Sequence, residues 1–414
     1  MTAYTSKLNS LPPAGSGLKT GDTVTLADGS EWEYHAAVGW AKKTSRADPV
    51  SSAFNNFKPS NTSVLRRMIA DGASMYGRSR LAVFGTSVDA GAGALSATLY
   101  GANSRSKSWP MQLAKLMKSR GINANSDYVV GGGNKTAAAL PGFDTRIAFT
   151  NTAENLSVQL WGGPSFQMSA GSGQIVFTPE NPFDHVMVAS ASAGGNSQLT
   201  MVGNGGATSG VLPTTGPNGV VYADVAVSAN STVATVTCGA GGGAFPFLIG
   251  TRDSTKPGIE VINAGWGASA TPDWNSAALW NSNQAFDAIL GADALNCSIL
   301  SLDINDAFFG VAQSNFRAAL DALLVKLKSK GDVVVKINPA VGVGAVAQAV
   351  QDTYWGIAST AASSADVPWV DMRAVFPDRA TSATLGIARD DLHNTARGYA
   401  IEAEVMLRAL TYVV

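Results

Sequence analysis

The chain is poor in the residues that carry metal and redox chemistry. It has three histidines and two cysteines in 414 residues, scattered without the spacing of a metal site. Cys238 and Cys297 make no disulfide framework, so two buried free thiols are expected. Only 14% of residues are charged, and 29 Lys and Arg against 30 Asp and Glu argue against nucleic acid or an anionic membrane as the main partner. No uncharged apolar run approaches the roughly 18 to 20 residues that span a bilayer. The first residues, MTAYTSKLNSLPPAG, lack the apolar core of a signal peptide. A soluble protein without an obvious export leader is expected, its surface covered largely by Ser, Thr, Asn and Gly.

What is present divides the chain into pieces. Its length suggests two or three domains. Residues 1–60 read as a small arm or adaptor, with TVTL (23–26), Asp28-Gly29 and EWEYH (31–35) suggesting a β-hairpin. From about 61 the rhythm is α/β. LAVFGTS (81–87) is a short apolar run suited to a buried parallel strand, and residues 109–121 have helical spacing closed by Gly121. Between Arg146 and Arg252 there is no Lys or Arg at all. Alternating runs there (173–178, 184–190, 231–238), separated by glycine turns, predict an antiparallel β-sandwich over 151–254, inserted into the first domain. The α/β pattern resumes over 255–414, with strands expected near 259–264, 297–304, 332–339 and 367–372 and helices over 314–331 and 395–410. Alternating strands and helices imply a parallel sheet in a three-layer α/β/α sandwich.

Ligands of an open parallel sheet sit beyond the carboxyl ends of its strands. Four such ends carry chemistry here: Ser87, the Gly265–Gly267 stretch, Asn305 and, on a longer loop, His393. A serine hydroxyl needs a base, and His393 serves near neutral pH. An aspartate in the same loop can hold the imidazole in one tautomer; Asp390 suits that role, and Asp391 reads as a solvated neighbour. Backbone and side-chain amides would receive the developing oxyanion. Asp306 reads as structural, His35 and His185 as surface or satisfied structural histidines, and Trp161, Phe166, Phe177 and Phe183 as sandwich core. The GGG clusters at 131–133 and 241–243 lack the context of a phosphate loop.

These segments resemble the conserved blocks of the SGNH (GDSL-like) hydrolases over about 61–150 and 255–414. Gly85-Thr86-Ser87 stands for the family's Gly-Asp-Ser, with Asp89 placed to replace the missing aspartate's hydrogen bonds. Asp303-Ile304-Asn305-Asp306 stands for Gly-x-Asn-Asp. Asp390-Asp391-Leu392-His393, followed by Gly398-Tyr399, matches the Asp-x-x-His block. The remaining block resembles VINAGWGAS (261–269), one residue short. Its oxyanion donor is Gly267 by preference, with Gly265, Ala268 and, from VVGGGNKT (129–136), Gly133 as alternatives. The resemblance implies a cofactor-free serine esterase with Ser87, His393 and Asp390 as a triad. Members with an added β-sandwich imply a carbohydrate O-acetylesterase acting on acetylated polysaccharide. The small N-terminal piece also resembles phage tail-associated deacetylases, implying a virion partner through residues 1–60. A lipase or thioesterase, or an inactive carbohydrate-binding or structural tail protein, are the rivals.

Overall fold

Short apolar runs bounded by polar residues or glycine form the strands of one seven-stranded sheet. The computed structural model describes three short strands near the N-terminus and residues 51–412, except 96–97, 102, 133–139, 161–162, 206–208, 276–281, 292–293 and 377. The sheet runs in the order Phe54–Asn55, Trp369–Asp371, Asp332–Ile337, Leu295–Ser301, Ser79–Gly85, Ile259–Asn263, Ala124–Asn125. All neighbours are parallel except the first pair. Strands buried on both faces need apolar side chains in both alternations, and the central run Leu81-Ala82-Val83-Phe84 supplies them. Helices Ser63–Ser74, Trp109–Ser119 and Ala396–Thr411 cover one face, packing on one another and on the sheet. Against the other face lie Ser282–Leu290, Gln313–Lys328 and Gln348–Ser364, with Phe316, Leu320, Leu323, Leu324 and Leu327 in the same core as Phe84, Leu300 and Val335. The three-layer expectation holds.

Beside an antiparallel pair, Thr152–Leu160 with Gly163–Met168, two larger antiparallel sheets make up the inserted region. One has the order Ser209–Leu212, Leu199–Gly203, Ala234–Cys238, Gln174–Phe177, Ile147–Thr150. The other has Gly219–Ser231, Phe183–Ser192, Phe245–Arg252, Tyr128–Val130. Phe166, Phe177 and Phe183 are buried between them, as expected; Trp161 lies outside the described residues. The boundary at 151 is too late, because Tyr128–Val130 pairs with Phe245–Arg252 and Ile147–Thr150 with Gln174–Phe177. The arm boundary at 60 is also too late. Phe54–Asn55 closes the sheet edge beside Trp369–Asp371, and the Phe54 ring meets those of Phe57 and Tyr412 at 6.0 and 5.5 Å.

The chain divides instead after Ala53, and Phe54–Val414 is one unit. The sandwich shares its core with the α/β layers: Tyr128, Val130, Met187, Ala189, Phe247 and Leu248 join Phe84 and Ile262. A charged cluster reinforces the junction. Glu260 pairs with Arg78 at 2.7 Å and Arg80 at 3.0 Å and accepts the Tyr128 hydroxyl, while Asp224 pairs with Arg78 at 3.1 Å and Arg252 at 2.9 Å. His185 sits in this cluster, its Nδ1 2.8 Å from Asp224, as a satisfied structural histidine. In the unit Met1–Ala53, Thr23–Thr25 and Glu31–His35 pair antiparallel as expected, and Gly39–Lys43 adds a third strand. His35 lies in the second of these strands, and the Asp28-Gly29 turn lies outside the described residues.

Adjacent positions of one helix test the packing. Leu324 is 1% exposed and Val325 73% exposed. Leu324→Ala should lose about 3 kcal/mol of unfolding free energy by urea denaturation, whereas Val325→Ala should change it by less than about 0.5 kcal/mol.

Candidate active site

Ser87 opens a four-residue helical turn, Ser87–Ala90, directly after the central strand Ser79–Gly85. The turn is fixed by its own side chains. The Thr86 hydroxyl accepts the Val88 N–H at 3.4 Å, and the Asp89 carboxylate accepts the Thr86 N–H at 2.8 Å. A Cβ on Gly85 would stand 2.1 Å from the Asp89 carboxylate, so only glycine lets Asp89 fold back this way. The second Asp89 oxygen accepts the Trp109 indole N–H at 2.8 Å. Asp89 thus anchors the turn in a sequence that lacks the aspartate before Ser87.

The base comes from the other end of the chain. Residues 388–394 form a loop closed by an Ala388–Asn394 bridge and by the Arg389 N–H donating to the His393 carbonyl at 2.9 Å. Thr395 then caps helix Ala396–Thr411. The Tyr399 hydroxyl donates to the Ala92 carbonyl at 2.9 Å and the Ala396 N–H to Ala94 at 3.0 Å, joining this helix to the segment after Ser87. Ser87 Oγ and His393 Nε2 are 2.9 Å apart, and both residues are buried. His393 Nδ1 lies 3.1 Å from each Asp390 oxygen. With Nδ1–H donating to Asp390, Nε2 is free to accept the Ser87 proton. Asp390 also accepts the backbone N–H of Leu392 and of His393, each at 2.7 Å. Its partial burial would raise its pKa, but the hydrogen bonds and charge of His393 outweigh that and hold it well below the usual carboxylate range. Asp391 is exposed, and its backbone carbonyl accepts the Gly342 N–H at 2.8 Å.

Asn305 lies in helix Ile304–Phe309, just beyond the strand Leu295–Ser301. Its amide donates one hydrogen to the Ser269 carbonyl at 2.8 Å, which ties it to the loop after Ile259–Asn263 and leaves the second hydrogen for another acceptor. Gly267 is buried in that loop, between Trp266, whose N–H bonds the Gly85 carbonyl at 2.8 Å, and Ala268 at φ 60°. Gly265 drops out as an oxyanion donor because its N–H is committed to the Asn263 side chain at 2.9 Å. Its lack of a side chain serves packing, since a Cβ there would sit 2.3 Å from the Ala90 nitrogen. Gly133 lies outside the described residues. Asp306 is structural as expected, accepting the Thr271 N–H and, at 2.7 Å, its hydroxyl. Burial pushes the Asp306 carboxyl up to about 7 despite those bonds.

Two residues near the elbow escape the sequence reading. The Asn263 amide donates to the Asp89 carbonyl at 2.9 Å and to Ser108 Oγ at 3.0 Å, clamping the Ser87 turn; the VINAGWGAS stretch contains it, but nothing there marks this clamping role. Burial raises the Tyr100 hydroxyl above the ordinary tyrosine value, outweighing the opposing influence of the nearby Ser87 side chain. Its ring packs edge-on to Phe143 at 5.2 Å. No motif or periodicity marks it. Both cysteines are buried and free. Among the described residues no helix is long and apolar enough to cross a membrane.

Comparison with known proteins agrees with this arrangement. A parallel sheet between helix layers, with polar side chains gathered beyond its strand ends, is the three-layer α/β/α architecture. Residues 230–401 match the GDSL-like Lipase/Acylhydrolase family, a span that holds Gly267, Asn305, Asp390 and His393 and begins after Ser87. Residues 230–401 therefore carry the likeness to a GDSL-like (SGNH) acylhydrolase domain. A solved peptidoglycan O-acetylesterase superposes with a TM-score of 0.64 at 16% identity, over 86% of this chain and 97% of that one. An acetylxylan esterase from Geobacillus stearothermophilus matches at TM-score 0.31 and 18% identity, over 39% of this chain and 77% of that one. No curated protein sequence matches the chain.

The depressed Asp390 pKa fixes a sign. A carboxylate held below its unfolded value of about 3.9 stabilises the fold above that pH, and loses this effect as pH falls through the folded value. Thermal melts should show Asp390→Asn less stable than wild type at pH 7, with the gap shrinking below about pH 4. Its side chain is 41% exposed, so the gap should be modest, and a gap independent of pH would contradict the assignment.

Proposed function

We propose that the protein is a serine esterase that removes acetyl groups from carbohydrate. The observation that carries this is the 2.9 Å approach of Ser87 Oγ to His393 Nε2, between residues 306 apart in sequence. In the proposed reaction His393 takes the Ser87 proton as Oγ attacks the ester carbonyl. Asp390 stabilises the imidazolium that forms. The oxyanion is received by the second Asn305 amide hydrogen, by the Gly267 N–H and by the Ser87 N–H, which as first residue of a helical turn has no carbonyl within the turn to bond. His393 then protonates the leaving alcohol oxygen, and water deprotonated by the same imidazole releases acetate from the acyl-enzyme. These steps use the chain's own side chains and backbone amides, with water as the second substrate.

The carbohydrate half of the proposal draws on the peptidoglycan O-acetylesterase, whose fold extends over most of this chain. The departures at Thr86 and Asp303 that favour an inactive relative are offset locally: Asp89 holds the Thr86 N–H, and Asp303 is buried against the side chain and N–H of Asn338. A second reading, a lipase or thioesterase, is favoured by exposed Leu95 and Leu99 after Ser87 and by exposed Phe308 and Phe309 after Asn305. The esterase proposal does not depend on a phage tail location, which neither the fold nor the matched family supports.

Acetate release from p-nitrophenyl acetate and a panel of acetylated polysaccharides is the direct test. Ser87→Ala should lower it by at least about 10³-fold; a variant that keeps most activity overturns the esterase. Faster cleavage of long-chain than acetyl esters would replace the deacetylase with the lipase reading. Asn305→Ala should cut kcat roughly 10²- to 10³-fold with KM nearly unchanged, because its amide is needed only as the oxyanion develops.

A further inference from the structure

Lys336 stands in the middle of the sheet, between Val335 and Ile337, with its side chain fully buried. A buried ammonium is costly, and apolar residues of similar volume often stabilise such a position at least as well. Its partners show what the charge is near. The ammonium lies 2.9 Å from Glu402 and 3.5 Å from Asp89, donates to the Asn338 carbonyl oxygen of the side chain at 2.7 Å, and faces the Trp109 ring at 5.3 Å.

Followed outward, the contacts end on both halves of the candidate site. On one side Asp89 accepts the N–H of Thr86, the residue before Ser87. On the other, Glu402 accepts the Asn394 amide at 2.6 Å. Asn394 in turn accepts an Arg379 N–H at 2.7 Å. Arg379 donates further to the Asp390 carbonyl at 2.8 Å and to the His393 carbonyl. Asp89, Lys336, Asn394 and Glu402 are buried to within 1%. The cluster draws on four separate stretches of chain: the turn after Ser87, the Asp332–Ile337 strand, the Arg379–Thr384 helix and the segment from the His393 loop into the last helix.

We propose that Lys336 and Glu402 are positioning residues, joining the Ser87 turn to the His393 loop through the buried chain Asp89–Lys336–Glu402–Asn394–Arg379. This rests on the reading that Ser87 and His393 carry the reaction. Neither Lys336 nor Glu402 touches a reacting atom. They act by setting the distance over which the Ser87 proton must move, and a displacement near 1 Å can cost on the order of 10²-fold in rate. Carboxylates on both sides hold Lys336 charged against the opposing pull of burial.

The test measures kcat and KM for p-nitrophenyl acetate hydrolysis by the full chain carrying Glu402→Gln, Asn394→Ala, Lys336→Met or the Lys336→Met/Glu402→Gln pair, with Ser87→Ala beside them. Cooperative melting establishes that each is folded. Glu402→Gln and Asn394→Ala should lose roughly 10- to 100-fold in kcat, with KM within about twofold of wild type. The double variant should lose no more than the worse of its singles, as expected for links in one chain. Should Glu402→Gln not fold, Asn394→Ala decides, since it removes an amide bonded to Glu402 and leaves the Lys336–Glu402 pair in place. Folded Glu402→Gln and Asn394→Ala with lowered melting temperature but wild-type kcat overturn the proposal, as does full additivity in the double. If Ser87→Ala stays active, the esterase reading itself has failed; if it is inactive while the other variants are normal, only the positioning role has.

Discussion

The arrangement at the top of the sheet depends on one contact between a hydroxyl and an imidazole brought from opposite ends of the chain. No local propensity produces it. The strand that delivers Ser87 is central, with Leu295–Ser301 and Ile259–Asn263 on its two sides, so the turn that follows emerges where loops from three strands converge. The segment bearing His393 is then held against that turn by backbone and hydroxyl contacts from the last helix, at Ala94 and Ala92. Each half has its polar groups satisfied close by, as when Asp390 receives two backbone N–H groups as well as the imidazole.

Much of this was legible in the order of residues, and the reason is geometric. In a parallel sheet the strand end is also the edge where ligands meet the protein, so an apolar run followed by a reactive side chain carries fold and chemistry in one signal. Ser87 and Asn305 stand out this way, and His393 through the aspartate three residues before it. The Asp-x-x-His spacing also works locally: three residues let Asp390 receive the backbone N–H and the imidazole of His393 together.

What stayed hidden depends on partners distant in sequence. Tyr128–Val130 is three residues long and as apolar as a parallel strand, and only its antiparallel partner Phe245–Arg252 assigns it to the sandwich. Phe54–Asn55 is too short to show any period. Lys336 reads as a polar interruption of VVVKI until Asp89 and Glu402 are placed beside it. Gly265 and Gly267 look equivalent in sequence, and a side-chain oxygen two residues earlier separates them.

The charged junction beneath the sheet bears on how this molecule can be taken apart. Arg80 and Glu260 belong to the seven-stranded sheet, yet the hydroxyls of Tyr128 and Tyr222 that bond them come from the inserted strands. The insertion is therefore no detachable cassette. Cutting it away would strand a guanidinium and a carboxylate in an opened apolar seam.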